Sequence, residues 1–189
     1  MTARFRLVLA PLLTFALWIT AQAQTTVPVT ADNASSVSAG PKTTGFKALD
    51  YFQNQCARCH GDYGSSYGSA FGKNITDKQL QDFVRDMAEG PGQAPLGDAD
   101  LAVETDYHRA LRDGRPFAVV VAWKDGVLSG EAMPGSKVWI ESDGKTIEIA
   151  LEGNAWQVKL PPTVSWATAQ LHVRKGDKET VIPLAKRAF

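Results

Sequence analysis

The stretch FQNQCARCHGDYG, residues 52–64, concentrates the reactive side chains of the sequence. It contains both cysteines, Cys56 and Cys59, and His60 follows the second one directly. On a helical turn, residues at this spacing lie close together on one side. Thiolates and imidazoles are nucleophiles, redox groups and metal ligands. The chemistry open to this cluster is covalent attachment of a group, thiol–disulfide exchange or metal binding.

Three kinds of site use this spacing. The first is C-x-x-C-H haem attachment, in which both thiols bond the haem vinyl groups and His60 is the proximal ligand of the iron. The second is a redox dithiol, which usually follows a strand, and no strand-like run precedes Phe46. The third is structural zinc, which needs a second ligand pair, whereas His108 and His172 are isolated in the sequence. The motif favours one covalent haem c, and the other two remain alternatives.

Residues 1–23 have the organisation of a secretory signal peptide. Arg4 and Arg6 precede the uncharged run LVLAPLLTFALWIT, and AQA at 21–23 supplies small residues before the predicted cleavage point. The apolar run is shorter than the roughly 20 residues of a membrane-spanning helix. An uncleaved anchor is the alternative. We therefore expect export to the periplasm, with no integral membrane segment after cleavage.

The charge balance limits the partners of the chain. Beyond the leader, 18 basic residues face 20 acidic ones, a net charge of −2. This excludes the basic footprint of a nucleic-acid-binding protein and a polybasic membrane patch. Residues 24–44 are rich in Thr, Ser and Ala. They predict a flexible linker because they bury too little apolar surface to offset the entropy of ordering.

Three helices are predicted between residues 45 and 115. In the first, GFKALDYFQNQC, the apolar residues recur at steps of three, three and four, the period of an amphipathic helix. The second begins at Thr76, which can form a capping box with Gln79. The third begins after Asp98 as its cap and ends before Gly114. The second helix has one predicted apolar stripe: Leu80, Phe83, Val84 and Met87.

Residues 46–111 resemble a single-haem class I c-type cytochrome domain. Phe52 is an aromatic residue four positions before the first cysteine, and the CxxCHG motif of that family occupies residues 56–61. YHRAL, residues 107–111, stands where the last helix of the family has a YLRSL-like stretch. In such domains the first and last helices cross, and the aromatic residues pack at the crossing.

The resemblance implies a small all-α domain over residues 45–115. Cys56 and Cys59 would hold the haem through thioethers, and His60 would be the proximal iron ligand. It also implies one-electron transfer to or from a redox partner such as a dehydrogenase, oxidase or reductase. Such a protein is an electron carrier with no catalytic residues of its own, although it can be a subunit of an oxidoreductase.

The distal iron ligand is not where the family usually has it. The loop EGPGQAPLGD, before the last predicted helix, contains no methionine. Met87, just before that loop, is the first candidate, Met133 in an MP pair is the second and His108 is the third. A fourth possibility is an open or water-bound site. For Tyr63 and Tyr67, in the glycine-rich loop after the motif, the alternatives are ordinary loop packing and contact with a haem propionate or the haem edge.

Residues 116–189 predict a small β-sandwich, which makes the whole chain α+β. Six or seven short β-rich runs alternate with turn sequences such as KDG, SDG and KGD. The stretch SGEAMPGSKVWIESDGKTIEIALEGNAWQVKLP resembles immunoglobulin-like modules of secreted bacterial proteins, without a cysteine pair. We expect this module to dock the haem domain onto its partner.

The sequence thus predicts a periplasmic mono-haem c-type cytochrome. Two other functions remain open. One is a haem-based sensor or small-ligand binder, which needs an open or labile sixth iron site. The other is a haem subunit that is stable only within a larger oxidoreductase complex.

Overall fold

A computed structural model describes residues 40–186 of the chain. The predicted signal peptide and residues 24–39 of the predicted linker lie outside the described residues. Residues 40–47 have no regular secondary structure. Pro41 is nevertheless buried, and Gly40 lies so close to the indole of Trp123 that any side chain on it would overlap the ring. The end of the predicted linker therefore lies against the protein surface.

The first part of the described chain is helical. The capping box predicted at the start of the second helix is confirmed, because Thr76 and Gln79 each accept a main-chain N–H of the other. The predicted cap Asp98 is wrong: Gly97 is the cap, and Asp98 is the first helical residue, where its charge favours the helix dipole. Within residues 40–186 no helix has the length and apolar character of a membrane span. The helices are Ala48–Gln55 (α1), Ala57–His60 (α2), Asp77–Glu89 (α3) and Asp98–Asp113 (α4), with a 3-10 turn at Asp62–Gly64.

Helices α1 and α4 pack together through aromatic side chains. Phe52 of α1 meets Tyr107 of α4 edge-on, with ring centroids 5.2 Å apart and planes at 79°. Both rings are fully buried, as are Leu49 and Val103 beside them. Edge-to-face aromatic pairs add to the stabilisation from burial alone. This contact fixes the helix that leads into Cys56.

The second part of the chain forms two four-stranded sheets. Their strand orders are β1-β2-β6-β5 and β4-β3-β7-β8, and every pairing is antiparallel. The predicted combination of helices with antiparallel sheets is confirmed, and there are eight strands among residues 40–186. The strands are Ala118–Lys124 (β1), Val127–Ala132 (β2), Lys137–Ser142 (β3), Lys145–Ile149 (β4), Leu151–Glu152 (β5), Ala155–Lys159 (β6), Gln170–Lys175 (β7) and Lys178–Pro183 (β8).

The buried residues of both sheets form one apolar cluster. Val120 and Leu128 come from the first sheet, and Ile140 and Leu171 come from the second. Ile140 lies opposite Leu171 in the β3–β7 pairing, so the two side chains share a face. Alternate residues point to the opposite face of their sheet, among them His172 of β7, which is buried there against Trp139. The two sheets therefore enclose a common core.

The first sheet also completes the helical core. Phe117 and Val119, at the start of β1, belong to the same buried cluster as Phe52 and Tyr107. Glu131 of β2 reaches the first turn of α1, where its carboxylate accepts the N–H of Leu49 at 2.9 Å and that of Asp50 at 3.1 Å. Free N–H groups at a helix start need such acceptors. The sheet therefore holds the N-terminal end of the helix that precedes the cysteine motif.

Candidate functional site

A groove of about 220 Å³ lies between the cysteine motif, the loop after it, α3 and α4. Its walls are mostly apolar, with Phe71, Ile75 and Val84 among the lining residues. Cys56 and His60 of the motif also line it. Both reactive residue types therefore face one apolar space.

The motif contains a one-residue interruption between two helices. Helix α1 ends at Gln55, Cys56 interrupts it, and α2 continues to His60. Gly61 ends α2 with φ at 73°, a conformation that favours glycine. Cys56 is half-buried and Cys59 is exposed, and both thiols are free. Two accessible thiols one helical turn apart, with an imidazole beside them, match what two thioether bonds and one axial ligand require.

The Cys56 thiol is in a poor environment for ionisation. Burial raises the pKa of Cys56 to about 11, and the nearby carboxyl of Glu104 and thiol of Cys59 add to the rise. Reactive dithiol cysteines have a lowered pKa, usually from a helix N-terminus or a cation. Here a helix precedes the motif instead of a strand. These features disfavour thiol–disulfide exchange as the function of this pair.

Helix α3 forms the opposite wall of the groove. Of the four residues in its predicted apolar stripe, two are buried and two are exposed. Leu80 and Val84 are buried against the protein. Phe83 and Met87 line the groove but remain 54% and 48% exposed, which makes them two of the large apolar side chains left in solvent. Exposed apolar side chains around a cavity commonly mark a ligand-binding site. Met87 is therefore not a core residue, although it continues the spacing of Leu80 and Val84.

The other two predicted distal ligands occupy different positions. Met133 is half-buried against the α1–α4 cluster and lines a separate cavity near Pro116, so it does not face the groove of Cys56. His108 lines the groove from α4. Among the three candidates, Met87 and His108 share the groove with His60.

His108 is buried and held by two hydrogen bonds. Its Nδ1 lies 2.9 Å from the main-chain oxygen of Glu104, and its Nε2 lies 3.3 Å from the Tyr67 hydroxyl. Because a carbonyl can only accept, we assign the proton to Nδ1, and Nε2 then accepts from Tyr67. Burial lowers the pKa of His108 to about 4, so the ring is neutral at pH 7. A surface position for this histidine, one alternative from the sequence, is excluded.

Tyr67 lies between the two histidines. Its ring stacks on the His60 imidazole, with centroids 4.7 Å apart and planes 29° apart. Phe71 stacks on Tyr67 with centroids 4.0 Å apart. Tyr63, the other tyrosine of this loop, packs instead against the α1–α4 cluster and is not among the residues that line the groove.

Glu104 is a buried acid in the wall of the groove. It has no exposed surface, and neither carboxyl oxygen has a hydrogen-bond partner among residues 40–186. Its Oε1 lies 3.4 Å from Nδ1 of His108, but that nitrogen donates to the main chain instead. Burial, and then the charge of Glu131, raises the pKa of Glu104 well above its usual value. Sequence analysis missed it, although its position between Val103 and Tyr107 on the apolar side of α4 was a usable signal.

The described residues contain no group of three or more His, Cys, Asp or Glu side chains arranged to hold a metal ion. Comparisons of the chain with protein-family models, curated proteins and solved structures find no significant match.

Proposed function

We propose that this chain is a periplasmic mono-haem c-type cytochrome that transfers single electrons to or from a redox protein. One observation carries the proposal: Cys56 and His60 of a C-x-x-C-H motif line the same apolar groove, and that groove leaves Phe83 and Met87 uncovered. The edge-on contact of Phe52 with Tyr107 supports the proposal, because class I domains pack aromatic residues where their first and last helices cross.

The residues present fit a covalent haem c. The free thiols of Cys56 and Cys59 would form the two thioether bonds, and His60 would ligate the iron from one side. The apolar side chains of the groove would exclude water from the macrocycle. A bound haem supplies the ferric–ferrous couple, whose potential depends on burial and axial ligation.

Met87 is the residue we assign as distal ligand. Its thioether is on the α3 wall of the groove, opposite the motif, and it is too exposed to be a packing residue. Met133 is not assigned this role, because it lines another cavity and is not among the residues that line the groove. His108 would have to give up the hydrogen bond from Tyr67 before its Nε2 could bind iron.

The sheet part, which resembles an immunoglobulin-like module, has two roles in this proposal. Glu131 and Phe117 support α1, so the sheet part helps to hold the motif in place. Its outer surface is also the proposed docking surface for a dehydrogenase, oxidase or reductase. Because Phe117 and Val119 are part of the helical core, deletion of residues 117–189 would expose that core and cannot test docking alone.

A haem-based sensor or ligand-binding protein is the alternative. It is favoured by one observation: the loop EGPGQAPLGD contains no methionine, so the usual position of the sixth iron ligand is left without one. A haem subunit of a larger oxidoreductase would instead co-purify with a larger chain.

The test is spectroscopic. The chain is expressed with its leader in a periplasm that attaches haem c, and the reduced spectrum is recorded before and after carbon monoxide. Met87→Ala is compared with Met133→Ala, which removes the same side chain outside the groove. We expect a covalent haem whose spectrum is insensitive to carbon monoxide except in Met87→Ala. A chain without covalent haem would refute the proposal, and carbon monoxide binding by the unmutated protein would favour the sensor.

A further inference from the structure

We propose that Tyr67 and His108 act as a positioning pair that fixes the orientation of the His60 imidazole. The inference rests on the proposed function, in which His60 is an axial ligand. The Tyr67 ring stacks on the imidazole with 4.7 Å between centroids and 29° between the two planes. A ring stacked on one face of a side chain limits its rotation, so the plane of His60 follows the plane of Tyr67.

Tyr67 is itself held at two points. Phe71 stacks on its ring at 4.0 Å, which leaves the ring between Phe71 and His60. Its hydroxyl donates to Nε2 of His108 at 3.3 Å. His108 is then fixed on α4, because its Nδ1–H donates to the main-chain oxygen of Glu104 at 2.9 Å. The orientation of the His60 ring therefore depends on the position of α4, through Tyr67 and His108.

Here aromatic stacking replaces the hydrogen bond that usually orients a metal-ligating histidine. Metal-ligating histidines normally donate their second ring N–H to a carboxylate, carbonyl or water, which sets the ring orientation. Among residues 40–186, the side-chain hydrogen bonds of this region join Tyr67 to His108 and His108 to Glu104, and none reaches a His60 ring nitrogen. Aromatic stacking is therefore the contact that orients His60 within the described chain.

The experiment uses the full-length haem-bearing protein in its oxidised form. Tyr67→Leu removes the stacked ring, whereas Tyr67→Phe keeps the ring and removes only the hydroxyl. Tyr63→Phe is the matched control, because Tyr63 is in the same loop without an aromatic contact to His60. The readouts are covalent haem content and the proton NMR positions of the haem methyl groups, which depend on the plane of the axial imidazole.

We expect Tyr67→Leu to change the spread of the haem methyl resonances and Tyr67→Phe to change it less, in the same direction. Both Tyr67→Phe and His108→Leu break the hydrogen bond between Tyr67 and His108, so His108→Leu should shift the resonances in the same direction as Tyr67→Phe, and the double variant should add little. Tyr63→Phe should leave the spectrum unchanged. If Tyr67→Leu does not fold, the haem methyl resonances of Tyr67→Phe and His108→Leu test the inference.

Three outcomes would overturn the inference. Methyl resonances that are unchanged in Tyr67→Phe, His108→Leu and any folded Tyr67→Leu would show that the pair does not orient His60. Carbon monoxide binding by His108→Leu alone would make His108 an iron ligand instead. Both results leave covalent haem in place and so preserve the cytochrome proposal. Absence of covalent haem from the unmutated chain is a separate result that overturns the proposed function and this inference together.

Discussion

Replacing Glu104 with leucine should make the protein more stable. Folding transfers the carboxyl from water to a position with no exposed surface, where it has no hydrogen-bond partner among residues 40–186. A buried polar group without a partner costs about 1–3 kcal/mol even when it is neutral. A leucine of similar length in that place would instead gain from apolar burial.

The gain should also depend on pH. The pKa of Glu104 is raised in the folded protein, so above its ordinary pKa of 4.5 the unfolded chain loses a proton that the folded chain keeps. Stability therefore falls as pH rises through this window, by about 1.4 kcal/mol per pH unit while the folded carboxyl stays protonated. Glu104→Leu removes this slope, so we expect it to gain about 1–3 kcal/mol near pH 4.5, where only the unsatisfied polar group contributes, and more as the pH rises towards neutral.

Urea unfolding at pH 5, 6 and 7 measures both effects, and Glu104→Gln separates them. The glutamine cannot ionise, so this variant should lose the part of the pH slope that Glu104 contributes, while it keeps an unsatisfied polar group. Glu104→Leu should exceed it in stability at each pH. A leucine variant that is less stable than the unmutated protein, or that keeps the full pH slope, would refute the reasoning and show that the carboxyl has a partner.

Three further predictions concern the elements that hold the groove. Burial, and then the charge of Asp50, raises the pKa of Glu131 to about 7, although N–H donation from α1 opposes the rise. The unmutated protein should therefore lose stability between about pH 4.5 and 7. In Glu131→Gln, the urea midpoint should depend less on pH over this range. Gly130→Ala should lower the free energy of unfolding by about 1–3 kcal/mol or more, because a Cβ would overlap the Val119 carbonyl and the indole of Trp156. Calorimetry measures this loss, and Gly68→Ala, where the space is open, should show little change. Thr76→Ala should cost about 1 kcal/mol through loss of the capping box, measurable by urea unfolding.

The local features of the fold could be predicted from the sequence because each depends on neighbouring residues. The capping box of α3 needs only Thr76 and Gln79 at the right spacing, and the glycine after α4 needs only the end of an apolar pattern. The cysteine motif is equally local. Residue types within five positions were enough to place Cys56 and His60 beside each other.

The contacts that could not be predicted join distant segments. The carboxylate of Glu131 binds Leu49, 82 positions earlier in the sequence, and no periodicity in either segment indicates that pairing. The burial of His108 depends on Tyr67 lying over it, 41 positions away. The exposure of Met87 was missed for the opposite reason, because helical spacing identifies an apolar face without showing whether anything covers it.

These distant contacts explain how an eight-residue helix can hold the motif at a fixed place. A helix as short as α1 is not stable alone, because nucleation is unfavourable and few hydrogen bonds compensate for it. Glu131 of the first sheet holds its N-terminal turn, and Phe52 is fixed against Tyr107 before the chain reaches Cys56. The first sheet is therefore needed to keep the motif in position. A docking role for the sheets should accordingly be tested by substitutions on their outer surface, such as at Arg174, which leave Glu131 and Phe117 in place.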